Sequence, residues 1–458
     1  MRALLLSISF LAVALFSGLL VSQYSSSPVL FWVVGALVIF GISFVNIELG
    51  LYILIFSMLL SPEFIAAEAQ GGAALGRGVT LRLEDLLLVV IGFSWFAKNA
   101  VYKELGLFLK TPLNKPILYY LLACVVSTGF GIMAGRVEVK TGFFFVVKYF
   151  EYIIVFFMLV NHVEKTDQIK RFIFCLLLTC FITSIIGILQ IPGGGRVSAP
   201  FEGEVGEPNT FGGYLVFLGA IAAGLFYKAE NMRAKILPAL LMVAIVPSLL
   251  FTQSRSSYLA AIPACMALGF LTERKVIVIG LIMVSFLLSP LFLPSQVKNR
   301  IRFTYTQREH PGQQVMIGDV RLDTSTSARL RSCQAGISAW TKRPILGYGV
   351  TGYSFMDAQF PRVLVETGII GLAAFIYLLY SIYKLVISNL KRLKTPYLQG
   401  IVIGFLAGYI GLLFHAIGAN TFIIVRIMEP FWFFAGIIVV LPVLEGTASA
   451  NLKACATT

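Results

Sequence analysis

Two arginines stand out, and one of them lies where an arginine is costly. Arg255 lies in FTQSRSSYLAAIPA (251–264), between two apolar runs that each look long enough to cross a bilayer. An arginine at the centre of a spanning helix costs roughly 2.5 to 3.5 kcal/mol on insertion scales, and less toward its edge. Arg196 follows three glycines in PGGGRVSAPFEGEVGEPNTFGG (192–213). The planar guanidinium is suited to a bidentate grip on phosphate or carboxylate. Downstream of Arg196, Pro208, Asn209 and Thr210 read as a helix start, with Asn209 or Thr210 available as cap, and the exposed N–H groups of such a start add their own partial positive charge. Arg196, Arg255 and Asn209 are therefore expected to bind an anion. Glu202, Glu204 and Glu207 share the glycine-rich loop, where one could act as a base or pair with Arg196 to order it. No GK[ST] follows the glycines, so the run is not a nucleotide-binding P-loop.

A second group of polar residues falls in the long segment 294–362. TSTSARLRSCQAGISAWTKRPILGYGVTGY (324–353) opens on a Ser/Thr start signal and places Leu330, Cys333, Ile337 and Trp340 at helical spacing. This predicts an amphipathic surface helix carrying Arg329 and Arg331. DAQFPRVLVETGIIGL follows, with Asp357 and Gln359 ahead of Arg362 and Glu366 at the mouth of the next apolar run. Arg426 and Glu429, three residues apart, read most simply as a mutual ion pair. The histidines, His162, His310 and His415, have no second ligand at i+3 or i+4, and the six cysteines show no CxxC spacing, so no metal site is expected.

The elements that must position these residues are membrane helices. Of 458 residues 58% are hydrophobic and 13% are charged, far from the roughly 25% charged residues of a soluble domain. Apolar windows predict about fourteen spans, near 4–22, 28–46, 49–63, 84–98, 116–134, 143–162, 171–191, 209–227, 236–252, 256–272, 275–293, 363–386, 398–417 and 420–442. The fold class is all-α, a polytopic bundle of about 12 to 14 transmembrane helices with one large extracytoplasmic loop containing short helices. Four regions follow: 1–190, 191–293, the loop 294–362, and 363–458. Every even-numbered exit is basic, which by the positive-inside rule puts both termini in the cytoplasm and Arg255 on the outer side. The net charge of +14 is thus no sign of nucleic acid. Yet the outer connections are basic as well, with Arg77, Arg82, Arg136, Lys140, Arg196, Arg255 and a further series from Lys298 to Arg362. The insertion rule does not account for these. An anion that sits in the membrane and presents its charge outside does, and a lipid-linked phosphate or diphosphate fits.

Four pieces resemble one family: Arg196 in its Gly-rich loop, EPNTFGGYL (207–215), TQSRSSYLA (252–260), and RLRSCQAGISAWTKRPILGYGVTGY followed by VLVETGIIGL. Together, over about residues 190–375, they are similar to the O-antigen ligase and polymerase superfamily of bacterial membrane glycosyltransferases. The resemblance implies a fold of GT-C type in the bacterial inner membrane, and a metal-independent, cofactor-free, inverting transfer from a polyprenyl-diphosphate-linked oligosaccharide to a glycan or lipid-linked glycan acceptor. It implies membrane lipids and a chain-length regulator as further partners. Arg196 and Arg255 match the family's functional arginines by motif, and Arg329 and Arg331 would join them at the donor. Ligases of this type carry a histidine just before the span ending in E-x-G; here Asp357-Ala358-Gln359-Phe360 stands in its place. That departure favours polymerase over ligase and leaves Glu207, Asp357 and Gln359 as the expected catalytic positions, Gln359 being a poor base. The alternative reading is a flippase or exporter of a lipid-linked oligosaccharide.

Overall fold

The computed structural model describes residues 28–67, 79–102, 109–201, 206–273, 275–307, 314–317 and 320–456. The first predicted span, Arg77, Glu202, Glu204, Arg308 and His310 lie outside them. The other thirteen predicted windows each fall on a helix: α1 (Pro28–Val45), α2 (Ile47–Leu60), α3 (Leu83–Tyr102), α4 (Asn114–Met133), α5 (Val139–His162), α6 (Thr166–Gln190), α7 (Pro208–Lys228), α8 (Met232–Phe251), α9 (Arg255–Leu271), α10 (Lys275–Phe292), α13 (Gln359–Arg392), α14 (Pro396–Gly418) and α15 (Val425–Ala456). Eight helices among the described residues are long and apolar enough to cross a membrane, namely α4 to α8 and α13 to α15. The protein is a polytopic helical bundle. Two non-spanning helices, α11 (Ser295–Thr306) and α12 (Thr324–Trp340), lie in the long loop, and two short strand pairs, 63–67 with 79–82 and 316–317 with 320–321, are the minor additions to an all-α architecture.

The centre is built on α7, α14 and α15. Small residues let α7 and α14 approach closely: a Cβ added at Gly224 or Gly404 would strike the backbone of the facing helix. Such close approach is how helices associate where lipid offers no hydrophobic drive. Phe217, Phe405 and Phe431 fill the space beside the contact, with ring centroids 5.3 to 5.8 Å apart.

The connections sort into two ends. At one, Arg171 pairs with Glu48 at 2.8 Å and Lys228 with Glu273 at 3.7 Å, joining the starts and finishes of helices that the sequence assigns to the cytoplasmic side. At the other, the Arg196 loop meets the α8–α9 joint, the segment before α13 meets the α14–α15 connection, and residues 346–350 rest on the end of α4. Arg196, Asn209, Arg255, Asp357 and Gln359 are therefore gathered at one end of the bundle.

The ETG sequence breaks its helix. Gly368 has φ 66° and ψ −167°, so α13 is interrupted after Thr367. Backbone from the preceding turn fills the break, with Ile369 N–H donating to Pro344 O at 2.9 Å, and a Cβ at Gly368 would overlap the Ile345 carbonyl. Glycine alone tolerates both the left-handed φ and the contact.

Candidate functional site

The arginine end is assembled from three helix termini. Between α8 and α9 only Thr252, Gln253 and Ser254 intervene; Gln253 takes a positive φ of 50°, and Ser254 caps α9 by accepting from Ser257 N–H at 3.3 Å. This tight joint puts Arg255 at the first helical position and turns the Thr252 and Gln253 carbonyls toward the neighbouring loop. Arg196 takes both, donating from Nε to Thr252 O at 3.0 Å and from Nη2 to Gln253 O at 3.4 Å. The same Nη2 reaches Asn209 Oδ1 at 3.4 Å. Asn209 is not the cap of α7 but its second residue: Glu207 is the cap position, Pro208 follows it, and the fixed φ of proline starts the helix. The loop itself is held by Val197 N–H to Phe251 O and by Gln190, whose side chain brackets Ser198 through both N–H and C=O.

The third terminus is that of α12. Its cap is Asp323, immediately ahead of the Ser/Thr run. One carboxylate oxygen accepts from Thr326 N–H at 3.2 Å, while the other pairs with Arg255 Nη2 at 2.8 Å. Asp323 is 1% exposed. Burial alone would raise its pKa, but the Arg255 guanidinium and the Thr326 groups outweigh it and hold the carboxyl below its usual range. Arg329, one and a half turns on, pairs through Nε with Asp357 Oδ2 at 3.0 Å.

Charge accumulates here. Burial pushes the Arg196 pKa down to about 10, and Arg300, Arg255 and Arg329 push it the same way. Arg300, on α11, is lowered by burial and then by Arg255 and Arg329, against the opposing influence of Asp323. Four guanidiniums thus share one region with the carboxylates of Asp323 and Asp357. A preorganised set of donors that repel one another is suited to stabilising an anion, above all one whose charge develops during reaction.

The remaining expected residues are distributed around this cluster. Glu207 accepts the Thr210 hydroxyl at 2.8 Å, and the Arg196 guanidinium takes carbonyls rather than Glu207. Asp357 is 41% exposed at its side chain. Gln359 is 1% exposed, and its Oε1 accepts from Phe422 N–H at 3.0 Å, which ties the start of α13 to the α14–α15 connection. Arg331 turns to Gln314 O at 3.2 Å. The spacing of Arg362 and Glu366 does give a buried pair, 3.0 Å long. Arg426 and Glu429 do not form the expected pair. Arg426 donates instead to Pro200 O at 3.4 Å and Ser61 O at 3.2 Å, and Glu429 lies among Glu84, Asp85, Glu151 and Arg82. The i+3 relation put both on one helix face, but carbonyls from the end of α2 and from the Arg196 loop reach the guanidinium instead.

Sequence reasoning missed Asp323, and it left Arg300 as one basic residue among many. A cap signal was there to read, since Asp directly precedes TSTS; its pairing with Arg255, sixty-eight residues away, was not. Among the described residues no group of three or more His, Cys, Asp or Glu is placed to hold a metal ion.

Fold and site define a multi-pass membrane protein with a cluster of arginines at one end. Residues 240–376 match the model of the O-antigen ligase family, Wzy_C, a stretch that contains Arg255, Arg300, Asp323, Arg329 and Asp357. The match supports the O-antigen ligase and polymerase superfamily, and with it a membrane enzyme acting on surface polysaccharide. No curated protein matches the chain significantly.

Proposed function

We propose that the protein polymerises a bacterial surface polysaccharide on the outer face of the cytoplasmic membrane, using a polyprenyl-diphosphate-linked glycan as donor. The observation that carries this reading is the convergence of Arg196, Arg255, Arg300 and Arg329 at the starts of α7, α9 and α12, within and beside the family-matched region. In the reaction, an acceptor hydroxyl oxygen attacks the anomeric carbon of the donor sugar. The bond from that carbon to the diphosphate oxygen breaks on the opposite side, which inverts the centre. The leaving lipid diphosphate takes the electron pair, and the arginines receive its charge. This is the role in which a fixed guanidinium fork surpasses a point charge. Asp357 and Glu207 are the carboxylates we assign to take the hydroxyl proton. Gln359, an amide bound to backbone, is assigned to position the segment that carries Asp357.

The test is elongation in vitro: purified protein with a synthetic polyprenyl-diphosphate oligosaccharide, followed by mass spectrometry of the glycan. Wild type should give a ladder of longer lipid-linked glycans. Arg196→Ala and Arg255→Ala should each lower the rate by about a hundredfold or more, and Arg196→Lys should remain well below wild type. An unaltered ladder in Arg255→Ala would sink the assignment of the arginines. Transport of the lipid without elongation would favour an exporter.

A further inference from the structure

A second pair of guanidiniums sits at the same end of the bundle, outside the cluster above. Arg136 follows the C-terminus of α4, in the short connection to α5, and Arg343 follows α12. Both lie over the ring of Tyr348, at 5.9 and 5.6 Å from its centroid, within the range of a cation–π contact. The ring is fixed from two sides: its hydroxyl donates to Ala339 O at 3.1 Å and its backbone N–H to Val365 O at 3.0 Å. Arg136 Nη2 donates to Phe130 O at 3.3 Å, while its covered Nε and Nη1 have no hydrogen-bond partner. No carboxylate among the described residues pairs with either arginine. Burial and the neighbouring Arg343 both lower the Arg136 pKa. The protein thus brings two like charges over one ring with no carboxylate beside them, and the two covered Arg136 donors without a partner ask for an explanation.

The surroundings say what kind of anion would supply it. Arg136 stands at the joint of two candidate membrane spans, among exposed Phe130, Met133, Val139 and Phe143. An anion held there has an apolar wall beside it, as a phosphate on a lipid chain requires. The pair lies beyond one end of α12, and Arg255 with Asp323 marks the other. A helix of seventeen residues is about 25 Å long.

We propose that Arg136, Arg343 and Tyr348 bind the diphosphate of the acceptor lipid, so that the protein holds two lipid diphosphates at opposite ends of α12. This rests on the polymerase reading. Elongation joins two lipid-linked chains, of which one loses its diphosphate and the other keeps it, so a second anion must be held while the first departs. The separation leaves room for the acceptor glycan to reach back along α12 to the donor sugar.

The experiment is native mass spectrometry of the full-length protein in detergent with farnesyl diphosphate, alongside elongation kinetics with donor and acceptor varied separately. Wild type should bind two molecules. Arg136→Gln/Arg343→Gln should bind one, and Arg255→Ala should also bind one. In the double variant KM for the acceptor should rise about tenfold or more with KM for the donor unchanged. Arg343→Gln alone, at an exposed position, should give the same split in smaller degree and guards against misfolding of the double variant. One Arg255-dependent molecule per wild-type protein would overturn the second site while leaving the polymerase reading intact. Equal displacement by phosphatidylglycerol would overturn it too, since the pair would then be a general headgroup contact. No Arg255-dependent binding at all would remove the polymerase reading itself.

Discussion

Two groups of charges occupy the same end of the bundle and treat arginine in opposite ways. In the first, Arg196, Arg255, Arg300 and Arg329 outnumber Asp323 and Asp357, and the Asp357 and Arg255 side chains retain 41% and 20% of their exposure. In the second, Arg82, Lys148 and Arg426 are set among Glu84, Asp85, Glu151 and Glu429, and Arg426 and Glu84 have no exposure at all. Arg82 meets Glu84 at 3.4 Å, Lys148 meets Asp85 at 3.6 Å, and Ser61 donates to Glu84 at 2.7 Å. Surplus cation with access to solvent is an arrangement for a ligand. Dry cation surrounded by carboxylate is an arrangement for holding parts together, and an intramembrane charge is tolerated when so paired. Arg426 joins the two groups: through Ser61 O and Pro200 O it fastens the end of α2 to the loop that carries Arg196.

The contrast can be broken most sharply at Arg426. Arg426→Met leaves buried carboxylates without their cation and should cost on the order of 3 kcal/mol, read as a fall in the thermal unfolding midpoint in detergent. Arg196→Ala should move that midpoint far less while removing activity, because it relieves repulsion as it deletes hydrogen bonds. Equal losses of stability in the two variants would erase the distinction between strut and ligand site.

A smaller effect is expected at Asp323. Asparagine still caps α12, but it no longer offers Arg255 a charge. Asp323→Asn should therefore keep its helix and lose about tenfold in donor kcat/KM, as a charge-assisted bond becomes a neutral one. An unchanged kcat/KM would mean that Asp323 serves the helix alone.

The smallest effect is in pH. The folded pKa of Arg196, about 10, is below that of the free side chain. Its charged form is thus disfavoured in the fold, and a bound polyanion would raise the value again. Donor affinity should be flat below about pH 10 and fall as pH rises through it. Arg196→Ala should lose that inflection, as followed by donor binding between pH 8 and 10.5. An inflection that survives in the variant belongs to another group.

Much of this protein is written locally. Apolar windows placed helices correctly wherever the structure describes them, because a chain crossing lipid must satisfy its backbone within each helix. Local order likewise gave the helix α12 and the Arg362–Glu366 pair, and it singled out Arg196, Arg255 and Arg329, which the fold brings to one end. What escaped was relational. Glu429 is three residues from Arg426 in sequence, yet the guanidinium is taken by carbonyls of Pro200 and Ser61. Gln359 looked like a substitute for a missing histidine, and the fold commits it to Phe422 N–H. Sequence by itself determined the bundle, its two ends and the arginines, since hydrophobic length and charge sign act within a single helix. Only the tertiary structure decided which charges are neutralised, because that depends on which distant carboxylate or carbonyl arrives within about 3 Å of each guanidinium.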